Sequence, residues 1–220
     1  NTLIVSGSIF QLYAPPTEGY GPSYSSSMFL HETYGGYSVN GNVSGNKVSL
    51  NNTCVGGTFY GAKSVNGNVI ANSVEICNAQ ANHFYGAYVV GSEAKKGLAK
   101  DNKVSIAGEG YSGNMYGVYV ENGDAINNIL TVDSDRYSFN QLYGVLVENG
   151  DANGNMLIAK NITTDNITGI SIGNNFVDHY VIGAGDVSNN ILSVENCTLT
   201  SNGSITGASS NSESVSVSYN

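Results

Sequence analysis

The 220-residue chain has no tryptophan, only three prolines and a single arginine, Arg136, and just 11% of its residues are charged. What charge it has is acidic, with a formal balance of −9 and a sequence pI near 4.5. That excludes the basic footprint needed to bind nucleic acid or an anionic membrane face. No apolar run approaches the roughly 20 residues of a spanning helix, so this segment is not expected to embed in a membrane. The three cysteines, Cys54, Cys77 and Cys197, are too few and too scattered for a disulfide framework or a zinc cluster. Three free, buried thiols are the favoured arrangement, with a Cys54–Cys77 bridge as the alternative.

What the chain does have is glycine (28), tyrosine (15) and an abundance of asparagine, serine and valine. These residues favour strands and turns over long helices. They are also periodic. Asn-x-apolar-x-apolar occurs at Asn1, Asn46, Asn72, Asn102, Asn128, Asn155 and Asn190, with a degenerate copy from Glu213. It alternates with an apolar-Tyr-Gly pattern at Tyr34, Tyr60, Tyr85, Tyr116 and Tyr143, in which Thr168 and Thr206 later replace tyrosine. Tyr-Gly precedes Asn by twelve residues in four copies, and Asn precedes the next Tyr/Thr-Gly by thirteen to sixteen, so most periods lie near 26. Extra residues collect in residues 14–33, read as a protruding loop or degenerate coil, and in 173–186, read as a loop insertion.

Fixed insertion points on a constant period indicate one solenoid domain over residues 1–220. The expected class is all-β, a right-handed parallel β-helix of seven to eight coils, with a third strand between the two motifs. At ~4.8 Å per coil the rod would be roughly 35–40 Å long. The chain opens inside what reads as a strand, and it is expected to be a fragment of a longer protein.

Alternation along a strand assigns faces. Ala62, Ala87, Val118, Val145 and Ile170, with Val89, Val120, Val147 and Ile172, are expected inside. Tyr34, Tyr60, Tyr85, Tyr116 and Tyr143 share their parity and are expected to stack beside them. Asn46, Asn72, Asn102, Asn128, Asn155 and Asn190 form a second column of stacked amides. The opposite parity gives an outward column of Tyr37, Lys63, Tyr88, Tyr119, Leu146 and Ser171. Within it Tyr88, Tyr119 and Leu146 form an apolar stripe, read either as a binding surface or as the seat of a covering loop.

Asn-x-Val-x-Ile alternating with Tyr-Gly-x-x-x and Asn-Gly turns resembles the passenger domain of bacterial autotransporter (type V secretion) adhesins. The resemblance covers nearly the whole chain. It implies an extracellular location at the bacterial cell surface, attached through the outer membrane, and adhesion or aggregation as the task. The implied partner is a host cell-surface protein or glycan, or another copy of the chain.

Two other patterns bear on chemistry. The repeated Val-Glu-Asn-Gly-Asp places Glu121, Asp124, Glu148 and Asp151 on adjacent coils, with Asp186 in register on the next. A bridging Ca²⁺ is one reading. The favoured one is a solvated turn in which Asp caps its own backbone, since Asn42 and Asn68 hold the same place earlier. Gly169–Gly173 matches Gly-x-Ser-x-Gly, but Ser171 falls on a continuing strand without the strand-to-helix turn that a nucleophile needs. His31, His83 and His179 occupy unrelated positions. Six Asn-x-Ser/Thr sequons, at Asn42, Asn51, Asn161, Asn166, Asn196 and Asn202, follow from composition. Polysaccharide processing remains the enzymatic alternative to an adhesin, and a plain structural spacer is the third reading.

Overall fold

The computed structural model describes residues 2–6, 32–176, 179–181 and 185–210. Among these there is no helix, and parallel strands stack into a β-solenoid of about five turns. The turn count is lower than the seven to eight expected because the outermost motif copies do not build full described turns. The first contributes one strand, Thr2–Ser6, paired on Lys47–Cys54, and the copy from Glu213 lies outside the described residues.

Each coil begins at a sharp corner. The residue before each ladder asparagine is left-handed, with φ of +55° at Asp101 and Asn127 and +54° at Asn189 and Ala71. Asparagine, aspartate and glycine tolerate this conformation because a short polar side chain, or none, relieves the Cβ clash. Ala71 has no such relief. Past the corner, the amides of Asn46, Asn72, Asn102, Asn128, Asn155 and Asn190 form a continuous ladder. From Asn46 to Asn155 each Nδ2 donates to the Oδ1 of the next coil, for example 2.9 Å from Asn102 to Asn128 and 2.9 Å from Asn128 to Asn155. The backbone N–H donates to the same oxygen, at 3.0 Å in both cases. The second amide hydrogen reaches a backbone carbonyl behind, as from Asn128 to Ala99 at 2.9 Å. Every polar atom of the side chain is engaged, so Asn72, Asn102, Asn128 and Asn155 are buried without an orphan.

The interior is divided into two apolar clusters. Val48, Val74, Val104, Leu130 and Leu157 belong to the first, together with Phe84, Met115 and Leu142. Ala62, Ala87, Val118, Val120, Val145, Val147, Ile170 and Ile172 belong to the second, as alternation required. The glycine after each tyrosine lies between them. A Cβ on Gly117 would stand 2.6 Å from the carbonyl oxygen of Gly144 and 2.8 Å from Leu130 Cβ. The opposing walls meet here too closely for any side chain.

Alternation breaks at this glycine. Met115 packs in the first cluster and Val118 in the second, while the missing Cβ of Gly117 also points inward. Two successive inward positions bend the strand, and Tyr116 is left on the outer wall. Strict parity, which placed it beside the valines, is therefore wrong at this point.

A further short strand also sits elsewhere than expected. Val69–Ile70, Gly97–Lys100 and Ala152–Asn153 lie just before the ladder corner, where they pair in a separate row. In the 173–186 insertion, Asn174–Phe176 pairs antiparallel with His179–Val181, outside the parallel sheet. The loop or coil expected at 14–33 falls, up to residue 31, outside the described residues. All three cysteines are free thiols, half-buried and not fully buried as expected. Cys77 is in register with Asn51 and Cys54 with Gln80, which holds the pair out of register for a bridge.

Candidate functional site

Residues three apart on a straight strand point to opposite faces, yet the rings of Tyr116 and Tyr119 touch at 5.5 Å and 88°. Tyr85 and Tyr88 do the same at 5.1 Å. The bend at the glycine makes an elbow on the outer wall, and the two tyrosine columns close against each other within it. In the first column Tyr34, Tyr60, Tyr85, Tyr116 and Tyr143 stack at 4.7–5.2 Å with interplanar angles of 6–14°. The second column runs Tyr37, Lys63, Tyr88, Tyr119, Leu146, Ser171 in the expected register.

The expected exposed stripe is not exposed. Tyr119 is 7% accessible and Leu146 2%, and Tyr88 is half-buried. Their side chains lie on the first column and form a third, external core with Tyr116, Tyr85 and Tyr143. Because the stacked rings face one another along the axis, their faces are already occupied.

The phenols complete the elbow. Tyr88 O–H donates to Glu121 and Tyr119 O–H to Glu148, each one coil further on. Tyr60 O–H donates to Glu32 at 3.2 Å. Lys63 replaces a tyrosine in the second column, with Nζ 4.2 Å from the Tyr60 ring centre, 5.0 Å from Tyr88 and 3.7 Å from a Glu32 oxygen. Burial raises the Glu121 carboxyl above the usual glutamate range, against the Tyr88 hydrogen bond that lowers it. Burial, then Glu32, pushes Tyr60 up to about 12. Tyr88 and Tyr119 are held higher still, by burial and by their carboxylate partners. Phenols held this high serve as hydrogen-bond donors and not as bases.

The two acids of each Val-Glu-Asn-Gly-Asp run serve different ladders. Asp124 accepts the backbone N–H of Asp151 at 3.0 Å, and Asp151 accepts that of Asp186 at 2.9 Å. Asn42 accepts that of Asn68 at 3.0 Å. Each cap therefore belongs to the next coil's turn, where the sequence suggested the residue's own. Among the described residues no three His, Cys, Asp or Glu side chains gather as a metal set. Ser171 and His83 stand on different columns, His179 lies in the hairpin, and His31 is outside the described residues. Burial lowers the pKa of His83, whose Nδ1 is buried without a hydrogen-bond partner.

A second feature is not located by the sequence pattern alone. At the corner after the Asn-x-apolar-x-apolar strand, four coils advance three residues between matched positions: Asn51 to Cys54, Cys77 to Gln80, Lys160 to Thr163 and Glu195 to Thr198. The two coils between them are wider, with four residues from Ala107 to Tyr111 and five from Asp133 to Ser138. Asn52, Asn78, Asn161 and Asn196 hold this corner left-handed elsewhere, and Gly108 takes the position in the first wide coil with φ of +80°. Its amide ladder stops at the widening. Asn78 Nδ2 still donates to Asn52 at 3.1 Å, but its Oδ1 accepts the Glu109 N–H, and Asn161 Nδ2 turns to Asp133 at 2.8 Å. The result is a polar recess of about 610 Å³ lined by Asn78, Glu109, Asp133, Asp135, Arg136 and Asn161.

No protein-family model matches the chain, and neither the curated proteins nor the solved structures yielded a match, so the sequence and the fold carry the functional reading.

Proposed function

We propose that this chain is a rod segment of an extracellular, surface-displayed bacterial protein that adheres to a host surface or to further copies of itself. One observation carries this reading: asparagine, tyrosine and acidic side chains alike are bonded from coil to coil, which makes a stiff spacer, while the widened corner stays open on its flank. Such a rod acts by presentation. It carries a surface feature away from the cell and holds it in fixed orientation. The repeat's resemblance to autotransporter passengers supports the same location and task.

The test is adhesion of beads coated with the purified chain to host epithelial cells, alongside sedimentation velocity for self-association. Retention well above albumin-coated beads, or concentration-dependent association, is expected. A chain that does neither is a spacer, and the adhesin reading falls.

Polysaccharide processing has one observation in its favour. Glu32, Glu121 and Glu148 each accept a phenol hydrogen bond, from Tyr60, Tyr88 and Tyr119, so three carboxylates line the elbow. Release of reducing ends from a polysaccharide panel, lost in Glu121→Gln and Glu148→Gln, would establish it in place of adhesion.

A further inference from the structure

We propose that the widened corner is a preformed binding recess for a neutral saccharide. This deepens the adhesion reading by naming a ligand class, and rests on it only for the biological role. The recess lies where two adjacent coils lengthen, and it contains the chain's one arginine.

Its chemistry is two-sided. Asp133, Asp135 and Glu109 offer carboxylate acceptors, and Arg136 offers a fork of donors. Arg136 Nη1 stands 3.6 Å from Glu109, with the two side chains 72% and 65% exposed, so that ion pair is loose and exchangeable. An anion entering here meets three carboxylates, and among the described residues no three carboxylates gather closely enough to hold a metal cation. A sugar hydroxyl both donates and accepts, and so satisfies both sets at once. Tyr111, two residues beyond Glu109 on the same strand and 47% exposed, puts an aromatic ring on the same outer face, its O–H donating to Asn140 at 3.2 Å, and the apolar face of a sugar ring can pack on it.

The wall behind is fixed. Tyr137 is buried, and its O–H donates to the Ala79 carbonyl two coils away. Its ring runs past Gly110, where a Cβ would come 2.7 Å from the ring. Ser134 Oγ donates to the Gly108 carbonyl and accepts the Arg136 N–H at 3.2 Å. These bonds set the shape of the recess before any ligand arrives, which reduces the ordering cost of binding.

The experiment is ¹⁵N NMR of the whole chain titrated with a panel of neutral mono- and disaccharides, with spermidine and calcium chloride as competing probes. At least one sugar is expected to move the amides of Gly108, Glu109, Ser134 and Arg136. Arg136→Ala, at an exposed position that leaves the fold intact, should weaken that binding by about tenfold or more. Lys47→Ala, at an exposed position of another strand, should leave it unchanged. Stronger shifts at these amides with spermidine or calcium than with any sugar would overturn the proposal, as would sugar binding that Arg136→Ala leaves intact. If beads adhere to cells while no sugar moves these amides, the recess assignment fails and the adhesion reading stands. If sugar binds here and beads do not adhere, the site stands and the adhesion reading fails.

Discussion

Two asparagine corners run along the same solenoid, and they differ in one respect. The corner from Asn46 to Asn190 repeats without interruption and is buried through its central coils, where Asn72, Asn102, Asn128 and Asn155 bond every amide atom to the coils on either side. The corner of Asn52, Asn78, Asn161 and Asn196 is more open to solvent and breaks across two coils. Where the ladder is unbroken the side chains are fully occupied and the corner is structural. Where it breaks, charged groups point outward and a recess opens. In a repeat protein, departure from the period is a better guide to a surface site than the period itself.

Substitutions can test this contrast. The largest effect belongs to Asn128→Ala, in the middle of the unbroken ladder. It removes the acceptor of two Asn102 donors and leaves the Ala99 carbonyl and Asn155 Oδ1 short of a partner in a buried setting. Urea unfolding should show a loss of about 3 kcal/mol. At the same corner, Ala71→Asn should stabilise by about 1 kcal/mol, because asparagine relieves the left-handed strain at φ of +54°. An unchanged or lower unfolding midpoint would count against the strain. In the broken corner, Asn161→Gly keeps the left-handed turn and loses one exposed hydrogen bond to Asp133. It should cost about 0.5 kcal/mol or less, and a loss matching that of Asn128→Ala would erase the distinction between the corners.

The unbroken ladder contains no titratable group, which places pH dependence elsewhere. Glu121 in the elbow binds its proton more tightly folded than unfolded, since burial raises its pKa. Its contribution is fully present below the ordinary glutamate pKa and is lost as pH rises through the raised folded value. Melting temperatures measured across that window should fall with rising pH, and Glu121→Gln should flatten the slope. An identical slope in the variant would show that the carboxyl titrates normally.

Much of this architecture was legible in the residues. The Asn ladder, the tyrosine stack and the register of Tyr88, Tyr119 and Leu146 follow from period and alternation alone. The side of the wall on which the tyrosines stand did not. That depends on Gly117, where two inward positions in succession invert the parity, and a linear pattern does not show how closely opposing walls approach. The burial of Tyr119 was hidden for the same reason, since it needs the elbow. The widened corner left a trace in the uneven spacing from Asn to Tyr-Gly, with fourteen residues from Asn102 to Tyr116 and fifteen from Asn128 to Tyr143. That spread does not say where along the coil the extra residues sit, and only the strand register locates them.

The coil-to-coil bonding also has a mechanical consequence. Because coils follow one another in chain order, tension between the two ends acts along the hydrogen bonds and loads a terminal coil first. Each coil of about 26 residues pulled free would add about 90 Å of extended chain while the remainder stays folded. A rod built this way can lengthen stepwise under load and shorten again when the load drops.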